Sequence, residues 1–246
     1  MDAVTAYKNA LTDTLERAFS TQDEQIRAGA KLLCDASMNG NNIFAFGCSH
    51  AMLPMLELYY RTGGMANINP VRAPGLCLDI DPATMTSELE RMPDYGRVII
   101  NALPMKKDDV IIIHSVSGRN TVPVDAALTA KKKGAKVIVL TNMEMTKSVK
   151  SRHPSGLNLY QTADIVIDNC GCFGDSAVQI DGIPEKLAPT STAVAAAIMN
   201  AMIAQAAADI IEAGGTPPIF ISANTDEGDA HNQRVLRKHR KNIFYM

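Results

Sequence analysis

The stretch Val110-Ile111-Ile112-Ile113-His114-Ser115-Val116-Ser117-Gly118-Arg119-Asn120 decides the fold of this 246-residue chain. Its four consecutive β-branched residues predict a buried strand. A helix is predicted next, with Pro123 in its first turn and a stop at Gly134. Hydroxyls and backbone N–H groups between a strand and a helix N-terminus can hold an anion such as phosphate. The alternative is an ordinary turn in which the serines only cap the helix.

Repeated strand and helix patterns surround this stretch. Strands are predicted at residues 43–46, 65–71, 110–113, 136–140 and 163–168. Two helices precede the first strand, the second with a capping box at 21–24, and a further helix runs from Gly47 to about Arg61. Residues 72–97 read as irregular, 169–188 as a loop, and 219–221 as a strand or an extended tail. The pattern predicts a single α/β domain with a doubly wound parallel sheet, whose ligands bind beyond the carboxyl ends of the strands.

One long apolar stretch, residues 193–211, is mostly alanine and is interrupted by Asn200, Gln205 and Asp209. A membrane span would be richer in leucine and free of acids. The stretch therefore predicts a buried helix of a soluble protein, between the sheet and another helix or at a subunit interface. No membrane partner is expected.

The net charge of −2 gives no general attraction to a polyanion. The one basic cluster, at 234–241, reads as a solvated terminal helix, so no nucleic-acid partner is expected. The five cysteines have no regular spacing and fit a reduced cytoplasm better than a disulfide framework. No signal peptide is apparent at the N-terminus, and the expected location is cytoplasmic.

Polar residues follow the predicted strands where each strand ends. They are Ser49 and His50 after the first strand, Ser115, Ser117 and Asn120 after the third, and Thr141 and Asn142 after the fourth. Thr190, Ser191 and Thr192 begin the alanine-rich helix. Two hydroxyl-rich helix N-termini that face one crevice would bind phosphate without lysine. Any one of these groups alone could be a helix cap.

The stretch I-I-H-S-V-S-G-R-N, followed by G-A-K-V-I-V-L-T, resembles the signature of the sugar isomerase (SIS) phosphosugar-binding domain. L-A-P-T-S-T at 187–192 looks like a third element of that family. Over its whole length the chain is similar to a group of small single-domain SIS proteins of uncharacterised function. They share stretches resembling Y-R-T-G-G, S-R-H-P-S-G, A-D-I-V-I-D-N and D-A-H-N-Q.

The resemblance implies a three-layer αβα, flavodoxin-like fold with a five-stranded parallel sheet. It implies one SIS domain over residues 1–246, with a helical extension at about 1–40 and a C-terminal tail at about 216–246. It also implies a homodimer or a dimer of dimers, because family subunits pair and often share active sites.

The resemblance further implies that Ser115, Ser117 and Asn120 hold a phosphate with help from the residues Thr190, Ser191 and Thr192. The turn after the first strand departs from the family pattern. There Ser49 replaces a glycine and Ala51 stands where the family has a serine. Ser49 and His50 are still expected to face the ligand.

Interconversion of aldose and ketose phosphates through an enediol requires a group that carries a proton between neighbouring carbons. Family isomerases use a glutamate and a histidine from a C-terminal segment. The histidine candidate here is His231. The glutamate candidates are Glu90 and Glu57, then Glu185. Each could instead be a solvated acid, and His231 could be a surface histidine on a polar turn.

Zinc is a further possibility, since His50, Glu57 and His231 have suitable ligand chemistry. No spacing demands it, and the expectation is no metal and no cofactor. Cys48 could be a nucleophile, although a small residue that fills a tight turn explains it better.

The sequence thus predicts a sugar-phosphate isomerase. The alternatives are another phosphosugar enzyme, such as an etherase or a deaminase, and a module that binds a phosphosugar and regulates a partner.

Overall fold

The structure is a computed structural model and describes residues 2–246. The main sheet has five parallel strands: β1 (Ile43–Gly47), β2 (Ile68–Pro70), β3 (Val110–His114), β4 (Lys136–Thr141) and β5 (Ile165–Asp168). Their spatial order is β2-β1-β3-β4-β5. This is the flavodoxin-like order, and the predicted fold class is confirmed.

Strand β3 lies at the centre of the sheet and pairs along its whole length with β1 and β4. All five of its residues are buried. Four of them are β-branched, and such residues pack well on the pleated surface of a sheet covered on both faces. The pairing sets Gly47 opposite His114, so β1 and β3 end at the same edge of the sheet.

Helices cover both faces of the sheet. In chain order they are α1 (Ala3–Thr21), α2 (Asp23–Met38), α3 (Leu53–Leu56), α4 (Met85–Leu89), α5 (Tyr95–Ala102), α6 (Thr121–Lys132), α7 (Met143–Ser148), α8 (Ser191–Glu212) and α9 (Gly228–Lys238). Helices α1, α2, α3 and α8 contribute to the core on one face. Helices α5 and α6 contribute to the core on the other face.

Helix α8 is long and apolar enough, by length and composition alone, to cross a membrane. It is nevertheless packed within the domain, where Val194, Ile198 and Met202 are fully buried. Its principal neighbour is α2, and it also packs against α1 and α3. The sequence prediction of a buried helix between the sheet and another helix is therefore confirmed.

Several local predictions were wrong. The helix after β1 does not reach Arg61, because α3 ends at Leu56 and the chain turns through Tyr60 and Gly63, both at positive φ. The capping box at Thr21 does not form. Helix α1 extends to Thr21, and the Thr21 hydroxyl donates to the Arg17 carbonyl.

Segments predicted as irregular contain regular structure. Residues 72–97 include α4 and the start of α5. The loop after β5 carries an antiparallel hairpin, β6 (Ser176–Gln179) and β7 (Lys186–Pro189). For residues 219–221 the sequence was compatible with a strand or with an extended tail. In the structure Ile219 forms one antiparallel bridge with Met65.

The close approach of α5 to α6 gives a testable prediction. A Cβ added at Gly96 of α5 would overlap the Val122 carbonyl oxygen and come within 2.7 Å of the Asp125 Cβ. Helix propensity alone favours alanine by about 1 kcal/mol. We expect the clash to outweigh this gain in helix propensity. Gly96→Ala should therefore lower the free energy of unfolding, measured in urea, by about 2 kcal/mol.

Gly29→Ala is the matched control, since Gly29 is also a buried glycine inside a helix. There the nearest atom to an added Cβ is the flexible Met202 Cε at 2.7 Å, which can move aside. Equal destabilisation of the two variants would contradict a rigid contact at Gly96.

Candidate functional site

A cavity of about 280 Å³ opens at the carboxyl ends of β1 and β3. Six of the residues predicted to bind the ligand or to carry protons line it: Ser49, His50, Glu90, Ser115, Ser117 and Asn120. The first two follow β1, the last three follow β3, and Glu90 comes from the segment that ends α4. Cys48, considered as a nucleophile, lines the cavity as well. Parallel pairing of β1 with β3 therefore brings together residues that are far apart in the chain.

The loop between β3 and α6 has a fixed conformation. Ser115 Oγ accepts a hydrogen bond from the Gly118 N–H at 3.3 Å. From β4, the Thr141 hydroxyl donates to the Ser115 carbonyl oxygen at 2.7 Å. Gly118 has φ +60°, and a Cβ there would lie 2.6 Å from Thr146 Oγ1. Only glycine meets both conditions, so this turn is built around Gly118.

The same loop leaves backbone donors free. The N–H groups of Val116, Ser117, Arg119 and Asn120 donate to no other residue within 2–246. Asn120 is the N-cap of α6, and its side chain makes no capping hydrogen bond. Within residues 2–246 the serine hydroxyls therefore accept no N–H group of α6. An open helix N-terminus beside free N–H groups and hydroxyls favours an anion.

Glu90 is the one carboxylate among the six predicted residues in the cavity. Burial raises the pKa of its carboxyl group above the ordinary value of 4.5. The neighbouring Asn120 side chain and the positive charges of Arg91 and Arg152 act in the opposite direction without cancelling the rise. A carboxylate with a raised pKa beside a ligand pocket is suited to proton transfer.

Cys48 does not have the properties of a nucleophile. Its side chain is buried, and burial together with the charges of Glu90 and Cys77 raises the pKa of its thiol well above the usual value. The thiol is therefore neutral at physiological pH, whereas a nucleophilic cysteine has a lowered pKa. Cys48 instead packs with Val71 and Leu76 in the hydrophobic core.

The start of α8 is occupied by a protein carboxylate. Asp175 accepts the Ser191 backbone N–H at 3.0 Å and also the Ser191 hydroxyl. Asp175 itself lines the cavity, whereas Thr190, Ser191 and Thr192 do not. In this structure the second hydroxyl-rich helix N-terminus thus faces Asp175, and that these three residues reach the phosphate stays a prediction.

The other acid and base candidates lie outside the cavity. Glu57 forms an ion pair with Arg61 and lies 3.5 Å from Asn200 Nδ2. Glu185 is exposed between β6 and β7. His231 Nε2 lies 3.0 Å from the Ile219 carbonyl oxygen and lines a separate pocket. Within one chain, Glu90 is thus the one of the four catalytic candidates that lies at the strand ends.

The proposed zinc ligands do not converge. Glu57 is paired with Arg61, and His231 lines a different pocket from His50. Across residues 2–246, no three His, Cys, Asp or Glu side chains are grouped closely enough to hold a metal ion. The residues present therefore do not fit the zinc site considered from the sequence.

A larger cavity, of about 410 Å³, lies between Tyr60–Thr62 and the C-terminal segment around Phe220 and Asn232. No strand of the parallel sheet ends there, and its lining contains neither a histidine nor a cysteine. We place the candidate site in the smaller cavity because ligands of open α/β sheets bind at the carboxyl ends of the strands.

Sequence reasoning missed His114, the last residue of β3. It is 1 % exposed, its Nδ1 lies 3.0 Å from the Ala51 carbonyl oxygen, and its Nε2 is buried without a partner. Burial lowers the pKa of this imidazole from 6.5 to about 4. His114 is therefore neutral, and Nδ1 carries the proton that bonds Ala51.

Comparison with known proteins identifies the family of the chain. A family model described as the SIS domain matches residues 6–142. The chain therefore belongs to the SIS domain family. It is 43 % identical over 240 residues to a UPF0309 protein of Oceanobacillus iheyensis, with 98 % of each chain covered.

Solved structures show the same fold at low sequence identity. A phosphoheptose isomerase from Francisella tularensis matches with a TM-score of 0.54 and 16 % identity, covering 83 % of this chain and 96 % of that one. Phosphoheptose isomerase GmhA from Neisseria gonorrhoeae matches with a TM-score of 0.50 and 17 % identity, covering 82 % and 96 %. At this identity the likeness establishes the fold alone.

The buried His114 predicts a pH-dependent stability. Between pH 6.5 and about 4 the unfolded chain binds a proton that the folded chain does not, so stability falls as pH falls through this window. We expect a loss of about 3 kcal/mol in the free energy of unfolding from this residue. Urea titrations of the wild type and His114→Asn across this range measure it. Parallel pH profiles for the two proteins would contradict a neutral His114.

Proposed function

We propose that this protein is a sugar-phosphate isomerase that interconverts an aldose and a ketose phosphate. The observation that carries the proposal is the meeting of two groups in one cavity. One is the loop of Ser115 and Ser117, with its free N–H donors, and the other is the partly buried Glu90. A phosphate anchor beside a proton carrier is what this reaction needs. The likeness in fold to two phosphoheptose isomerases agrees with the proposal.

In the proposed mechanism the loop between β3 and α6 binds the substrate phosphate. The hydroxyls of Ser115 and Ser117 and the open N–H groups of α6 donate hydrogen bonds to its oxygens. Glu90 takes the proton from C2 of the aldose, while a solvent water donates a proton to the C1 carbonyl oxygen and becomes hydroxide, which gives the enediol. Glu90 then returns its proton to C1, while the O2 hydroxyl gives its proton to that hydroxide, which restores the water, and the C2 carbonyl forms.

We also propose that the protein acts in the cytoplasm as a homodimer or a dimer of dimers. All five cysteines are free, which suits a reducing compartment. His231 lies away from the cavity of its own chain, so it could assist ring opening only if a second copy supplied it.

Glu90→Gln tests the proton-transfer role. We expect turnover of aldose and ketose phosphates of five to seven carbons to fall at least about a hundred-fold, because the amide cannot accept the C2 proton. Exchange of that proton with deuterated water should be lost to the same extent. Affinity for the sugar phosphate should be retained, because the phosphate loop is intact.

Glu88→Gln is the matched control. Glu88 lies on the same short helix and is exposed, so the change should leave both rate and exchange intact. In the wild type, kcat/KM should fall as the pH is lowered and Glu90 becomes protonated. The midpoint of this fall should lie above pH 4.5, because burial raises the pKa of Glu90. Absence of turnover and of proton exchange by the wild type on every sugar phosphate of the panel would overturn the isomerase proposal.

Ser117→Ala tests the phosphate loop. A hydrogen bond to a charged group contributes about 1.5–3 kcal/mol, so we expect at least a tenfold weaker affinity for sugar phosphates by calorimetry. Thr192→Ala should leave the affinity unchanged, since Thr192 does not line the cavity. A stronger loss from Thr192→Ala than from Ser117→Ala would show that the anchor lies at α8 instead.

A further inference from the structure

Three arginines surround the open end of α6, and each comes from a different segment. Arg91 follows α4, Arg119 belongs to the loop between β3 and α6, and Arg152 belongs to the loop after α7. Backbone hydrogen bonds join these segments: the Arg152 N–H donates to the Arg119 carbonyl at 2.8 Å, and the Val122 N–H donates to the Glu90 carbonyl at 3.1 Å. The arginines are thus held near one another by main-chain contacts.

None of the three has a carboxylate partner. Within residues 2–246 the ion pairs involve neither Arg91 nor Arg119 nor Arg152. Arg152 Nη1 donates to the neutral Asn120 amide oxygen at 2.6 Å. Arg119 Nε is buried and has no hydrogen-bond partner. A buried guanidinium N–H without an acceptor is costly, and a bound anion would supply that acceptor.

The positive charges are close enough to act on one another. Partial desolvation and the charges of Arg119 and Arg91 lower the pKa of Arg152, while Glu90 acts in the opposite direction. Glu90 is the acid whose negative charge acts to raise the pKa of Arg152. Like charges that are not neutralised disfavour the folded state, and an added anion would relieve this repulsion.

The side chains of Arg91, Arg119 and Arg152 lie outside the lining of the cavity, although Arg119 is itself a residue of the phosphate loop. The cavity is lined by Ser115, Ser117 and Asn120, and by none of the three arginines. Glu90 and Asn120 form the cavity wall next to the cluster. A phosphate held by the serines would therefore leave the guanidinium groups free for another part of the ligand.

We propose that the arginine cluster binds a second anionic group of the substrate, so that the ligand is a sugar phosphate that also carries a carboxylate or a second phosphoryl group. Guanidinium groups suit both, because their planar N–H pairs match two oxygens at once. The inference rests on the proposed function, since it assumes that the serine loop holds the first phosphate.

Matched pairs of probes test the inference in calorimetric titrations of the full chain. Glucose 6-phosphate is compared with 6-phosphogluconate, and fructose 6-phosphate with fructose 1,6-bisphosphate. Within each pair the phosphate at C6 is the same and an anionic group is added at C1. We expect the doubly anionic member to bind at least tenfold more tightly, with the steeper loss of affinity as salt is raised. The larger gain in affinity shows which group the cluster prefers: a carboxylate if 6-phosphogluconate gains more, and a phosphoryl group if fructose 1,6-bisphosphate gains more.

Variants show which residues are responsible for the tighter binding of the doubly anionic probes. Arg119→Gln and Arg152→Gln should each reduce the affinity ratio within a pair to near one. Lys132→Gln is the charge-matched control, because Lys132 is exposed at the opposite end of α6, and the ratio should persist. Arg152 is exposed, so its variant remains informative even where Arg119→Gln fails to fold.

The outcomes separate the two proposals. In one outcome the wild type binds both members of each pair equally well, and Ser117→Ala no longer binds the singly phosphorylated sugars. This result would overturn the proposal of a second anionic group and would support the phosphate loop. If Arg119→Gln and Arg152→Gln both still bind the doubly anionic member more tightly, the proposal that the arginine cluster binds the second anionic group is also overturned. Failure of the wild type to bind any of the four probes would overturn the phosphate loop, and the inference with it.

Discussion

The parallel pairing of β3 with β1 and β4 is the constraint on which the site depends. It places Gly47, His114 and Leu140 in one row across the sheet, so three chain segments leave the sheet at the same edge. The turn after β3 can then be fixed from β4 through Thr141, and the turn after β1 can form the opposite wall. A register shift of one residue would turn the buried side chains of β3 to the opposite faces and separate these groups.

Strand ends were the part of the site that could be predicted from the sequence. Buried β-branched runs identify β3 and β4, and the carboxyl-end rule then places Ser49, Ser115 and Ser117 together. The five-stranded flavodoxin-like sheet followed from the family resemblance and is confirmed. Glu90 was one of several acids in an irregular segment. With Glu57 it stands first among the acids considered from the sequence, but its place in the cavity required the fold, because no periodicity shows which acid of residues 72–97 turns toward the sheet edge.

What the sequence could not show arises from contacts between segments distant in the chain. Asp175 reaches the start of α8 across a hairpin that carried no clear strand pattern. The hydrogen bond from Arg152 to Asn120 and the electrostatic effect of Glu90 on Arg152 join residues more than thirty positions apart. Arg119 and Arg152 stood in the quoted stretches S-G-R-N and S-R-H-P-S-G, yet a residue type within a motif does not reveal whether its charge is paired.

The construction of the loop around Gly118 has a consequence for how the site can change over evolutionary time. Its conformation depends on Gly118 at φ +60° and on Thr141 and Thr146, so a substitution at any of these positions disturbs the turn itself. Arg91, by contrast, is exposed on the segment after α4, outside this turn. A substitution of its side chain would change the charge beside the loop and leave the contacts around Gly118 in place. The fold thus separates a turn that tolerates little substitution from a neighbouring charge that can change without rebuilding it.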